Sequence, residues 1–186
     1  MDASKARIIW GDVETNGVNA FEGDVLLEVA FLVTDGDLNI LDENGYQAVV
    51  QWSPEHVNRI KAATSDYVLE MHEKTGLWDR LPFGKPRHQI DSEAVSYLRE
   101  FVPEAKTARF AGNSITLDRN FMQANLPETF EHIHYRSFDV STVAGLAQMW
   151  GGDEIQYQKK TLHSAFSDIT ESIEELRYLR GKAFKF

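Results

Sequence analysis

The run Val25–Thr34, V-L-L-E-V-A-F-L-V-T, constrains this chain most: it is long, apolar and β-branched, and reads as a strand. Arg7–Asp12, R-I-I-W-G-D, reads as a buried strand before it, and Tyr46–Trp52 as a third strand after the turn Asp35-Gly36-Asp37. Three such runs in succession predict a three-stranded antiparallel meander. From Ser53-Pro54 the pattern turns helical, with Ser53 as N-cap and Pro54 in the first helical position. A second helix is expected over Ser65–His72, a loop over Pro82–Pro86, and a helix capped by Asp91 or Ser92 and running to Phe101. Ala108–Gly112 and His134–Val140 read as short strands. Helices are expected near Asp118–Ala124 and over Thr142–Trp150, followed by a polar loop from Gly151 to Lys160. The last helix repeats Leu162, Ala165, Phe166, Ile169, Ile173 and Leu176 at three- and four-residue spacing, which makes one apolar face. This order predicts an α/β domain with a mixed sheet.

With 186 residues, the chain is expected to form one domain over residues 1–186. No apolar run is long enough for a transmembrane helix, and the N-terminus leads into a strand rather than a signal-peptide core. The absence of cysteine excludes disulfides, thiolate nucleophiles and thiolate metal sites, and fits a cytoplasmic location. The formal net charge of −10, with no cluster of Lys and Arg, argues against a groove for long nucleic acid. Taken alone, it favours an acidic protein that binds none. A nuclease tolerates such charge if metal ions meet the phosphate and the substrate is short.

Three short motifs can carry chemistry. Asp12-Val13-Glu14 closes the first strand, and the period of two puts both carboxylates on one side. Burying them together is costly without a cation, whereas a solvent-facing edge would carry two acids at no such cost. Asn113-Ser114-x-x-x-Asp118 follows the fourth strand. Asn113 or Ser114 can cap the next helix, and Asp118 in its first turn complements the helix dipole, so capping alone accounts for much of the motif. His163 and Asp168 form H-x4-D. Five residues of helix turn by roughly 140°, so the pair converges only if His163 lies at or before the helix start. Each motif is weak alone. Together, four acids and a histidine in this order match two-metal phosphodiester hydrolysis, in which carboxylates hold two cations and a histidine takes the proton of water.

The phrases I-I-W-G-D-V-E-T-N-G, A-F-L-V-T-D-G-D-L-N-I-L, G-N-S-I-T-L-D-R-N-F, H-Y-R-S-F-D-V-S-T and H-S-A-F-S-D-I-T-E-S-I-E-E-L-R-Y extend this pattern over nearly the whole chain. In them the chain resembles the oligoribonuclease family, DEDDh 3′→5′ exonucleases of RNase H-like fold. The resemblance implies a three-layer α/β fold with a mixed five-stranded sheet flanked by helices. It implies that Asp12, Glu14, Asp118 and Asp168 bind two divalent ions, Mg²⁺ or Mn²⁺, with His163 as general base. The substrate would be short single-stranded RNA, down to dinucleotides, cleaved to 5′-mononucleotides. Ser114, Arg136 and Ser141 would cap the 5′ phosphate with His72 nearby, and Tyr135 would be contributed by the partner of a homodimer. Two positions depart from the family. Val18 stands where a leucine wedges against the bases, and Tyr67 where a tryptophan stacks on one. These changes leave open a broader exonuclease acting on single-stranded DNA or longer RNA. A non-catalytic nucleotide-binding module is a further alternative.

Overall fold

The computed structural model describes residues 3–152, 155–158 and 164–184. Strands β1 (Arg7–Thr15), β2 (Leu26–Asp35) and β3 (Tyr46–Val49) form the expected antiparallel meander. β4 (Arg109–Gly112) and β5 (Ser137–Asp139) join it in parallel, and the sheet order is β3-β2-β1-β4-β5. β1 is therefore central, paired antiparallel on one side and parallel on the other. Every residue of β2 is buried, in keeping with a run that is apolar except for Glu28 and the terminal Thr34-Asp35. Gly11 sits mid-strand in β1, where a Cβ would come within 2.3 Å of the Phe110 ring, so β1 and β4 meet there only because the side chain is missing.

Helices cover both faces. One face of the sheet, with Ile9, Val29, Phe31 and Phe110, packs on α4 (Arg87–Phe101), α5 (Thr116–Asn125) and α6 (Pro127–His132). The other, with Ile8, Trp10, Ala30 and Leu32, packs on α7 (Val140–Gly151) and α8 (Ala165–Ala183). Trp10 is fully buried there, and its indole N–H donates to Thr34 Oγ1 at 3.0 Å. A third cluster beside Leu27 is closed by α1 (Pro54–Ala63), α2 (Asp66–Lys74) and α3 (Leu77–Arg80).

Several local expectations change. Ser53 does cap α1, accepting from the His56 N–H. The third strand ends at Val49, before Trp52. The fourth helix starts at Arg87, so neither Asp91 nor Ser92 caps it. Asp91 instead lies buried within α4 and accepts from Glu128 N, Thr129 N and Thr129 Oγ1 at 2.9, 2.8 and 2.7 Å, which caps the unforeseen α6. The expected Asn113 or Ser114 cap of α5 is replaced by the Ile115 backbone. Asp139 caps α7 through Thr142 N. That leaves Asn113, Ser114 and Ser141 available for other bonds. The last strand shrinks to Ser137–Asp139, because the preceding His134–Arg136 run leaves the sheet. Leu77–Arg80 is helical, and the 3-10 turn Leu81–Phe83 takes in the start of the expected Pro82–Pro86 loop.

Candidate active site

β1 carries Asp12 and Glu14 to its C-terminal end on the face that also bears Trp10, and α8 brings Asp168 in its first turn against the same face. The start of α8 is fixed by its own side chains: Ser167 Oγ reaches back to Ser164 N at 3.4 Å, and the two hydroxyls lie 2.9 Å apart. One carboxylate oxygen from each of Asp12, Glu14 and Asp168 lies within 4.8 Å of the others, close enough to share a cation. Asp118, in the first turn of α5, is 4% exposed, and its Oδ1 accepts from Val13 N at 2.9 Å. That bond ties α5 to the residue between the two β1 acids.

Electrostatics make this arrangement costly in the absence of a cation. Burial, reinforced by Asp118, Glu14, Asp168 and Glu28, holds the Asp12 carboxyl well above the usual carboxylate range. Burial, with Asp168, Glu28 and Asp118, pushes Glu14 up to about 8, against an opposing pull from Arg80. Asp118 rises to about 7 through burial, although backbone N–H bonds from Val13 and from Asp118 itself oppose the rise. Proximity, burial and mutual repulsion of hard oxygen ligands are what a divalent cation relieves, so the residues present fit one.

The other expected residues fall into three groups. His72 is fully buried on α2; its Nε2 lies 2.8 Å from Thr15 O, so that nitrogen carries the proton, and Nδ1 lies 3.9 Å from Glu14 Oε2. Ser114 and Ser141 meet directly: Ser114 N donates to Ser141 Oγ at 3.0 Å, with the hydroxyls 3.4 Å apart. Ser141 Oγ donates to Asn113 Oδ1 at 2.9 Å, Asn113 Nδ2 donates to Ser172 Oγ at 2.9 Å, and Ser172 Oγ donates to Asp168 O at 2.8 Å. Ser114 adopts a φ of 52°, a strained conformation for a non-glycine residue held by this network. Val18, Tyr67 and Tyr135 are exposed aromatic or apolar side chains, 68%, 73% and 69% open, and the guanidinium of exposed Arg136 lies over the Tyr135 ring at 5.3 Å. His163 lies outside the described residues.

Residues 9–176 match the exonuclease family RNase_T. This chain belongs to that exonuclease family. Among its relatives, the oligoribonuclease of Leifsonia xyli subsp. xyli is 36% identical, over 99% of this chain and 87% of that protein. The oligoribonuclease of Rhodococcus jostii is 38% identical, over 96% and 88%. A probable oligoribonuclease of Schizosaccharomyces pombe is 34% identical, over 97% and 70%. In three dimensions, exonuclease I aligns with a TM-score of 0.73 at 12% identity, covering 96% of this chain and 41% of that one. The Escherichia coli enzyme in complex with a dA16 oligonucleotide aligns at 0.71 and 11% identity, with the same coverage. The chain thus spans about two fifths of exonuclease I, a likeness of fold that bears out the RNase H-like architecture. No helix among the described residues is long and apolar enough to cross a membrane.

The sequence reading passed over Asn113 as a network residue, and Glu28 and Arg80 entirely. Glu28 did leave a signal, as a lone charge inside the apolar run of β2.

Proposed function

We propose that this family member is a 3′→5′ exoribonuclease that releases 5′-mononucleotides from very short RNA, dinucleotides included. The observation that carries the reading is the meeting of Asp12, Glu14 and Asp168 oxygens within 4.8 Å, in a chain related over nearly its full length to oligoribonucleases. Asp12, Glu14, Asp118 and Asp168 would hold two Mg²⁺ or Mn²⁺ ions, which supply an acidified water and neutralise the leaving 3′ oxygen. His163 precedes the α8 N-cap and is the candidate to take the water's proton on an imidazole nitrogen. Ser114, Arg136 and Ser141 form the cap for the 5′ phosphate, with the guanidinium as a two-pronged donor. Val18 and Tyr67, exposed and apolar or aromatic, offer surfaces for bases. His72 fixes Thr15 at the strand end beside Glu14.

We further infer a homodimer. The exposed Leu146, Met149 and Trp150 at the end of α7 support it, as do Tyr135 and Phe138 on and before β5. Sedimentation of the wild type as a monomer at micromolar concentration would remove this part of the reading. A cytoplasmic location completes it, on the absence of cysteine.

The test is hydrolysis of a labelled dinucleotide in Mg²⁺. Wild type converts it to mononucleotides and Asp12→Ala does not; activity surviving in Asp12→Ala contradicts the assignment. Substrates of two, five and twenty nucleotides separate this enzyme from a broader exonuclease. The smaller Val18 and Tyr67 side chains motivate that second reading, and a flat length profile would favour it.

A further inference from the structure

Glu28 presents a physical puzzle. It pairs directly with Glu14 across the antiparallel β1–β2 ladder, so the two side chains project from the same face of the sheet. Like charges in that relation destabilise a sheet, and here both are buried: Glu14 is 7% exposed and Glu28 only 1%. An alanine or threonine would fill the position at less cost.

The hydrogen bonds to Glu28 are lopsided. Arg80 Nη1 and Gln47 Nε2 both donate to Oε1, at 2.7 and 3.1 Å. Oε2 is buried and has no hydrogen-bond partner among the described residues. A guanidinium fork can take both oxygens of a carboxylate at once, and here it does not. Instead one oxygen is clamped by two donors and the other is held away from them. The field of Glu28 reaches both Asp12 and Glu14, while Arg80 is the cation that opposes the charge on Glu14. Glu28 therefore flanks the Asp12–Glu14–Asp168 group rather than a remote part of the core.

A buried acceptor beside a set of cation ligands has a natural donor. Waters in the hydration shell of a bound divalent ion are strongly polarised, and their hydrogens need acceptors behind the ligands themselves. We propose that Glu28 is a positioning residue of the metal centre: clamped through Oε1 by Arg80 and Gln47, it offers Oε2 to the water shell of the bound cation. Glu28 does not replace the four acids as a ligand. It sets the orientation of the hydrated ion relative to Glu14, and Arg80 offsets the added charge. This explains why an ion pair is built under the site from the apolar middle of β2.

The inference rests on the metal reading of the site, and the experiment separates the two. Metal-free full-length protein is titrated with Mn²⁺ and followed by calorimetry and by the loss of the free-ion spin-resonance signal, without substrate. Glu28→Gln keeps the shape and the acceptor for Arg80 but turns the other arm into a donor. It is expected to weaken Mn²⁺ binding by about 10–100-fold. Glu28→Asp keeps the charge but withdraws it by a methylene, and is also expected to weaken binding. Unchanged Mn²⁺ affinity in either variant overturns the proposal, even if that variant is less stable in EDTA, which is what a purely structural ion pair would give. A wild type that takes up no Mn²⁺ would instead refute the metal reading itself.

Discussion

Chelation should make this protein unstable in a direction opposite to the usual carboxylate behaviour. Glu14 titrates at about 8 in the fold, because burial and the neighbouring acids penalise its charge, whereas in the unfolded chain it returns to its ordinary 4.5. Between those values the folded state binds more protons than the unfolded one. Stability then falls as pH rises, by ~1.4 kcal/mol for each pH unit. Over the whole window this single group costs on the order of 5 kcal/mol. The loss is complete only above pH 8 and vanishes below about 4.5. Asp118, raised to about 7, acts in the same sense over the lower part of the window. The two shifts share neighbours and do not simply add. For a chain of this size ~1 kcal/mol moves the melting temperature by roughly 2–4 °C, so the drop is on the order of 10 °C.

Differential scanning calorimetry in EDTA at pH 5.5, 6.5, 7.5 and 8.5 measures this directly, alongside the same series in millimolar Mn²⁺. The EDTA melting temperature should fall across the series. The gain on adding metal should grow with pH, because the cation replaces protons that the acids otherwise retain. Glu14→Gln supplies the internal control: it removes one titrating group and should make the EDTA series shallower, leaving the slope that Asp12 and Asp118 contribute, while abolishing most of the metal response. Asp35 and Glu93, whose carboxyls are lowered by hydrogen bonds, lose their contribution only at acid pH and do not act in this window. An EDTA series that is flat or rises with pH, or a metal gain equal at pH 5.5 and 8.5, would refute the argument that these acids are held together against their own repulsion.

Three further outcomes are expected. Asp91→Ala removes the acceptor of two backbone N–H groups and the Thr129 hydroxyl, and should cost about 3 kcal/mol in urea unfolding; a loss below ~1 kcal/mol would mean that α6 is not held by this cap. His163→Ala should slow dinucleotide turnover about 10²–10⁴-fold while the substrate still binds, and undiminished turnover would exclude it as the base. Arg136→Ala should harm 5′-phosphorylated dinucleotides more than unphosphorylated ones in kcat/KM, whereas equal losses would dismiss the phosphate cap.

The meander was legible because its three strands carry their own patterns, and the final helix because its apolar face repeats at helical spacing. Element boundaries were less so. Asp91 looks like a cap for its own helix because aspartate caps locally in most sequences, yet it caps a helix more than thirty residues away in the chain. Such a bond depends on how α4 and α6 pack, which no local window contains. The acids show the same division. Asp12 and Glu14 share a face by strand period alone, but that Asp168 joins them and that Asp118 engages Val13 N follow from where α8 and α5 land.

Glu28 marks the limit most clearly. Its charge in an apolar strand was visible in the sequence, and its pairing with Glu14 follows once the β1–β2 register is known. What sequence could not supply was the partner. Arg80 comes from α3, in a stretch whose residue pattern assigned no structure, and it reaches Glu28 only because Leu77, Trp78 and Leu81 bury that stretch beside Leu27. The apolar anchors of α3 therefore do more than close a cluster. They deliver one cation to the edge of an acid-rich site, and β2, paired with the strand that carries Glu14, places the buried carboxylate that holds that cation. A substitution that loosens α3, such as Trp78→Ala, acts on the site through this route: it frees Arg80, leaves Glu28 buried next to Glu14 without its guanidinium partner, and removes the cation that opposes the rise at Glu14.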